Sequence, residues 1–243
     1  IILDELSGKS IKMKKVVVLG CAGMAGHIMA EYLDSTGDFE VLGVARGETK
    51  FASKNIDVTD FDGLKAFLEE TKPDFVVNCI GVLVGQSSDD VCTAIQINSY
   101  LPHFLSKQGK SIGFKLIHIS TDCVFSGKKG SYKEGDIKDA DNLYGRAKAL
   151  GEVFEAPHLT LRTSVVGPEL KDGEELFHWF MSQQVSIQGY TKALWSGVTT
   201  LELAKAVEWA IEYDISGLYH VTNGKPINKY ELLMLFKKYT KKE

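Results

Sequence analysis

Tyr144 and Lys148 stand four residues apart in Asn142-Leu143-Tyr144-Gly145-Arg146-Ala147-Lys148, a stretch that reads as helix. That spacing sets a phenol and an ammonium on one helix face. A free tyrosine has a pKa of about 10 and transfers protons poorly near neutrality. A neighbouring cation stabilises its phenolate and lowers that pKa. Such a pair can exchange a proton with a carbonyl or hydroxyl oxygen. A helix with a surface Tyr and Lys is also ordinary, so the pair needs company. Upstream, Ile117–Gly127 runs from an apolar strand into Ser120, Thr121, Asp122 and Cys123. That is the carboxyl end of a strand, where doubly wound sheets hold their ligands.

A second constellation lies near the start. Val16-Val17-Val18-Leu19-Gly20 is followed by Cys21-Ala22-Gly23-Met24-Ala25-Gly26, which places glycines at 20, 23 and 26 between a strand and a helix. Gly20 allows a tight turn, Gly23 a close backbone approach to a pyrophosphate, and Gly26 close helix–strand packing. The helix start offers free N–H groups and a positive dipole end to an anion. Ala22, Met24 and Ala25 belong to the same cofactor-binding turn. Twenty residues on, where an acidic side chain would hold the ribose of NAD, stands Arg46. A guanidinium suits a 2′-phosphate, so NADP(H) is favoured, with NAD(H) kept open by nearby Glu48. A solvated surface arginine is the plainer alternative.

The elements needed to hold these groups in place are legible. Short apolar runs predict strands at Val16–Gly20, Phe39–Ala45, Asn55–Val58, Phe75–Cys79, Lys115–Ser120, Leu159–Thr163 and Gly217–Val221. Helical spacing predicts helices over Met24–Leu33, Phe61–Glu70, Ala94–Gln108, Asp141–Ala156, Glu174–Gln183, Thr200–Glu212 and Asn228–Lys238. Asn228 and Glu231 resemble a capping box. Alternation of this kind predicts an α/β fold built on a doubly wound parallel sheet. Residues 1–12 read as a leader or appended segment. Residues 13–166 and about 195–215 read as the dinucleotide-binding domain. About 167–194 and 216–243 read as a small C-terminal substrate lobe, its completeness left open.

Composition narrows the partners. The chain has 243 residues, 25% of them charged, and a net charge of −4. With a pI near 5.9 and no large basic cluster, nucleic acid is not expected as the main ligand. No stretch without Asp, Glu, Lys or Arg exceeds 16 residues, and Val91–Ser106 at that length is too short and polar to span a membrane. Cys21, Cys79, Cys92 and Cys123 show no C-x-x-C pattern, so reduced thiols and a cytoplasmic location are expected. No metal-ligand spacing is visible, and His118 and His220 read as strand-packed histidines.

Taken together, GCAGMAG (20–26), DVTD (57–60), NCIG (78–81), Asn98, STDCVFSG (120–127), YGRAK (144–148), LRTSVVG (161–167) and YHVTNG (219–224) resemble the extended short-chain dehydrogenases/reductases. Within that superfamily they are most similar to the dTDP-4-dehydrorhamnose reductase group. The resemblance implies a Rossmann fold and NAD(P)H-dependent reduction of a nucleotide-linked 4-keto-6-deoxy sugar. It gives Thr121 the substrate carbonyl, Tyr144 the role of general acid, and Lys148 the tuning of Tyr144 and the nicotinamide ribose. Asp57 and Val58 fall where the family contacts adenine, and Cys79, Ile80 and Gly81 along the pyrophosphate and ribose path. Asn98, Ser120, Thr163 and Ser164 complete the cofactor set. Asp122, Cys123, Val165 and Trp195 are sugar-side candidates.

Two positions depart from the pattern. Cys123 replaces the glutamate of sugar-nucleotide dehydratases, which disfavours elimination of water. Cys123 and Val165 also stand where the reductases usually carry Tyr and Trp. A nucleotide-sugar 4-epimerase using NAD and a non-catalytic NADP-binding regulatory subunit are the alternatives, with a homodimer left open.

Overall fold

The computed structural model describes residues 13–170, 173 and 175–242. The segment read as a leader, residues 1–12, lies outside the described residues. In chain order the first half runs β1 (Lys14–Leu19), α1 (Met24–Thr36), β2 (Phe39–Ala45), β3 (Lys54–Asn55), α2 (Phe61–Thr71), β4 (Phe75–Asn78), α3 (Val84–Asp89), α4 (Val91–Ile95), a π-helical turn (Gln96–Tyr100), α5 (Leu101–Ile112) and β5 (Lys115–Thr121). The second half runs α6 (Leu143–Leu150), β6 (Leu159–Thr163), β7 (Val165–Val166), α7 (Leu176–Ser182), β8 (Leu194–Trp195), β9 (Val198–Thr199), α8 (Thr200–Glu212), β10 (Gly217–His220), β11 (Ile227–Asn228) and α9 (Lys229–Thr240).

Seven strands form one parallel sheet in the order β10-β6-β5-β4-β1-β2-β3. Alternate strand residues feed opposite faces. Val16, Val18, Val77 and Ile117 pack with Met29 and Leu33 of α1 and Leu203 and Val207 of α8. Val17, Leu19, Val76 and Leu116 pack with Leu64 and Leu68 of α2 and Leu101 and Leu105 of α5. Helices cover both faces, which is why the strands are almost wholly apolar.

Four differences from the sequence reading have physical causes. The strand expected at Asn55–Val58 shrinks to Lys54–Asn55. Asp57 Oδ1 accepts from Thr59 N at 3.0 Å, turning the chain toward α2. The single helix expected at Ala94–Gln108 is α4, the π-helical turn and α5 in series. Helix α6 ends at Leu150 rather than Ala156, because Gly151 lies against Asn98: a Cβ there would sit 2.0 Å from the Asn98 carbonyl oxygen. Gly217–His220, assigned above to the smaller lobe, is the edge strand of the large sheet, paired with Leu159–Arg162. The Asn228–Glu231 capping box of α9 is present.

The glycine turn is held by backbone hydrogen bonds, with His27 Nδ1 bonded to Gly23 O at 2.9 Å. Gly20 has φ +83° and its N–H donates to Val44 O at 2.8 Å, while Gly23 N–H donates to Gly20 O at 2.9 Å. A Cβ on Gly26 would lie 2.1 Å from Gly20 O. Gly26→Ala should therefore cost about 1–3 kcal/mol through overpacking and spread the turn. Thermal melting with a dinucleotide titration checks this. An unchanged Tm with unchanged binding would refute the close approach.

Candidate active site

Helix α6 and strand β5 form the centre of the site. The α6 start is fixed by Asn142, whose side chain accepts from Gly145 N at 2.8 Å. A Cβ on Gly145 would lie 2.2 Å from the Cys123 carbonyl oxygen, so the helix abuts the chain just beyond β5. The Thr121 hydroxyl lies near enough to the Tyr144 phenol to lower its pKa against the effect of burial. Thr121 Oγ1 also accepts from Cys123 N at 3.1 Å and donates to Asp122 Oδ1 at 3.4 Å. One turn along α6, Lys148 is buried and its Nζ donates to Ile119 O of β5 at 2.8 Å.

The electrostatics differ from the simple tyrosine–lysine expectation. Burial pushes Tyr144 above its ordinary value, with the neighbouring Cys123 and Asp122 adding to it. The Lys148 ammonium donates to the Ile119 carbonyl. Tyr144 is thus a neutral phenol with its proton to give. Burial lowers Lys148 from the usual 10.5 to about 8, partly opposed by the Glu152 carboxylate. Partial removal from water raises the Asp122 carboxyl, and the Lys229 ammonium opposes the rise.

The dinucleotide candidates line the carboxyl edge of the sheet. Helix α1 opens with Gly23 as N-cap, no side-chain cap bond and no acidic residue in its first turn. Its N–H groups and positive end are therefore free for an anion. Ala22, Met24 and Ala25 are half-buried along the turn. Ile80 Cγ1 would meet a Cβ on Gly20 at 2.8 Å, so the β4 end closes over the turn. This cradle, with no side chain where a phosphate would sit, fits a dinucleotide. Cys79 packs against the core and burial pushes its thiol up to about 12.

Other residues sit as follows. Arg46 is exposed just past β2, near enough that its charge lowers the Asp57 carboxyl, which is held down mainly by Thr59 hydrogen bonds. Val58 is buried in the core. The Asn98 side chain is spent on Val82, accepting from its N–H and donating to its O, each at 2.9 Å. It thereby fixes the loop after β4 beside Gly81. Thr163 Oγ1 donates to Val221 O at 2.9 Å. Trp195 is half-buried and its indole donates to Ser164 Oγ at 2.9 Å. Val165 packs on the core. Cys123 is exposed beside Asp122, its thiol raised by burial of its surroundings.

Residues outside the sequence reading also converge here. Glu152 and Arg162 form a buried pair, with Nε–Oε1 at 2.6 Å, reaching Ser120, Lys138 and His220. An arginine within the predicted strand Leu159–Thr163 was the available signal, since a buried charge requires a partner. His118 is fully buried, and burial holds its imidazole well below its usual range. Among the described residues, no group of three His, Cys, Asp or Glu could hold a metal, and no helix is long and apolar enough to cross a membrane.

A doubly wound sheet with a glycine anion cradle after its first strand, and Thr121, Tyr144 and Lys148 at its carboxyl edge, defines a nicotinamide-dependent oxidoreductase of the extended short-chain class. Comparison with known proteins narrows this. The RmlD substrate binding domain family matches residues 13–242, and the chain belongs to that family. It is 30% identical to a dTDP-4-dehydrorhamnose reductase of Aggregatibacter actinomycetemcomitans over 63% of this chain, and spans about half (51%) of that relative. It is 25% identical to methionine adenosyltransferase 2 subunit beta of Rattus norvegicus, covering 92% of this chain and 71% of the relative. A solved structure described as a hypothetical dTDP-4-dehydrorhamnose reductase from Sulfolobus tokodaii is similar with a TM-score of 0.81 and 28% identity. That match covers 93% of this chain and 82% of that one.

The Lys148 position carries a stability signature. Its folded pKa of about 8 lies below the usual 10.5, so the native state binds fewer protons between those values. The burial penalty is complete below pH 8 and is relieved as pH rises toward 10.5. Lys148→Met should melt higher than the parent at pH 7, by roughly 1–3 kcal/mol. The gap should narrow by about pH 10. Paired melting curves read this, and a gap independent of pH would contradict it.

Proposed function

We propose that this chain reduces the 4-keto group of a 6-deoxy sugar carried on a nucleoside diphosphate, with NADP(H) as its preferred dinucleotide. The convergence of Thr121, Tyr144 and Lys148 beside the glycine turn carries the reading. When bound, the nicotinamide supplies a hydride to the keto carbon. The Thr121 hydroxyl orients the carbonyl, and Tyr144 donates its proton to the carbonyl oxygen. The resulting tyrosinate recovers a proton from solvent. Lys148 holds the nicotinamide ribose, and its charge is opposite in sign to the transient tyrosinate. Gly20, Gly23 and Gly26 with the α1 N-terminus take the pyrophosphate. Cys123 offers no carboxyl for eliminating water, which favours reduction over dehydration.

The similarity to methionine adenosyltransferase 2 subunit beta supports a second reading, a dinucleotide-binding subunit that regulates a partner enzyme. NADPH oxidation measured against a panel of nucleotide-linked 4-keto sugars separates the two. Reduction of one sugar, with turnover lowered about 10²–10⁴-fold in Tyr144→Phe and NADPH binding retained, supports the reductase. Tight NADPH binding without oxidation of any sugar supports the subunit. A protein that keeps bound NAD through purification and needs none added is an epimerase.

The cofactor preference has its own test. Arg46→Glu should weaken NADPH binding about tenfold or more, the loss of one charge-assisted hydrogen bond, and bring NADH level with it. Fluorescence titration of both dinucleotides measures the ratio. If the ratio does not move, Arg46 is a solvated surface residue.

A further inference from the structure

We propose that Glu152 is a positioning residue for this reaction: with Arg162 it fixes the strand end that carries Thr121, and its carboxylate is anchored on Ser120, next to the Ile119 carbonyl that holds the Lys148 ammonium. The proposal rests on the reductase reading for its catalytic consequence, but not for its electrostatic one.

Glu152 has no exposed side-chain surface. Its Oε1 accepts from Ser120 Oγ at 3.0 Å and Arg162 Nε at 2.6 Å. Its Oε2 accepts from Arg162 Nη2 at 2.8 Å and Lys138 Nζ at 3.1 Å. Arg162 donates onward from Nη1 to Glu134 O at 3.1 Å and to His220 Nε2 at 3.2 Å, and stacks 5.1 Å from the Phe125 ring. A buried pair of this kind rarely improves stability over an apolar replacement. Its location gives it another use. Ser120, which it holds, lies between Ile119, the acceptor for Lys148, and Thr121.

The surroundings of Lys148 leave Glu152 a distinct electrostatic part. From the end of β4 comes Cys79, a thiol kept neutral by burial. From β5 come His118, also neutral, and the uncharged Ile119 carbonyl. From its own helix comes the phenol of Tyr144. From the π-helical turn, Ser99 donates to Ala147 O at 2.8 Å and carries no charge. Glu152, four residues beyond Lys148, is the carboxylate whose field opposes the cost of burying the ammonium. Arg162 and Lys138 bind that carboxylate in turn.

The test compares Glu152→Gln, Glu152→Asp and Ser120→Ala in the full chain. The Lys148 ammonium is titrated by ¹⁵N-lysine NMR without cofactor, and kcat and KM are followed against pH. Glu152→Gln should lower the Lys148 midpoint by about one unit and carry the alkaline limb of kcat with it. Glu152→Asp should restore part of the shift. Ser120→Ala keeps the carboxylate, so it should lower kcat while leaving the midpoint in place. An unchanged midpoint in a folded Glu152→Gln protein overturns the proposal. Should that variant not fold, an unchanged midpoint in Glu152→Asp does the same. A lowered midpoint with no turnover of any nucleotide-linked keto sugar supports the electrostatic role and rejects the reductase reading instead.

Discussion

The ammonium of Lys148 sits out of water between α6 and β5, bonded to the Ile119 carbonyl at 2.8 Å. A buried cation is unfavourable unless neighbouring dipoles and charges compensate it. Much of the local architecture follows from that requirement. The helix must lie close enough for a lysine to reach a strand carbonyl, which is why glycines stand at 145 and 151, where a Cβ would strike the Cys123 and Asn98 carbonyls. Once α6 is seated, Tyr144, one turn earlier, is fixed opposite Thr121. The approach of Tyr144 to Thr121 is therefore set by backbone packing.

The same seating explains why Tyr144 is a neutral phenol. A tyrosine tuned toward phenolate would suit proton abstraction from an alcohol, whereas one raised by burial retains the proton needed to complete carbonyl reduction. Lys148 and Glu152 act one and two turns along the same chain segment. Thus the α6 stretch presents donor, cation and anion in sequence, and β5 answers with Thr121, the Ile119 carbonyl and Ser120.

The sheet was legible because its central strands are apolar on both faces, and Val16–Leu19 or Phe75–Val77 can hardly be anything else. The glycine turn was legible because it relies on backbone geometry that few residues permit. What escaped was set by long-range packing. Periodicity extends α6 through Phe154, and only the approach of Asn98 to Gly151 stops it. Gly217–His220 follows a helix late in the chain, and only the exposed edge of β6 draws it into the large sheet. The Glu152–Arg162 pair joins residues whose meeting depends on how α6 exits toward β6.

The two halves of the site also differ in how their chemistry is encoded. The dinucleotide half is built from N–H groups, glycines and strand ends, so a handful of small residues specifies it over a wide range of sequence. The sugar half is built from side chains. At the two positions where the resemblance leads one to expect aromatic contacts, Cys123 is exposed beside Asp122 and Val165 is turned onto the core. Of the sugar-side candidates, the aromatic side chain is Trp195, half-buried with its indole on Ser164 Oγ. Asp122 is instead close enough to Lys229, across the β5 end and the start of α9, for that ammonium to lower its carboxyl against the effect of burial.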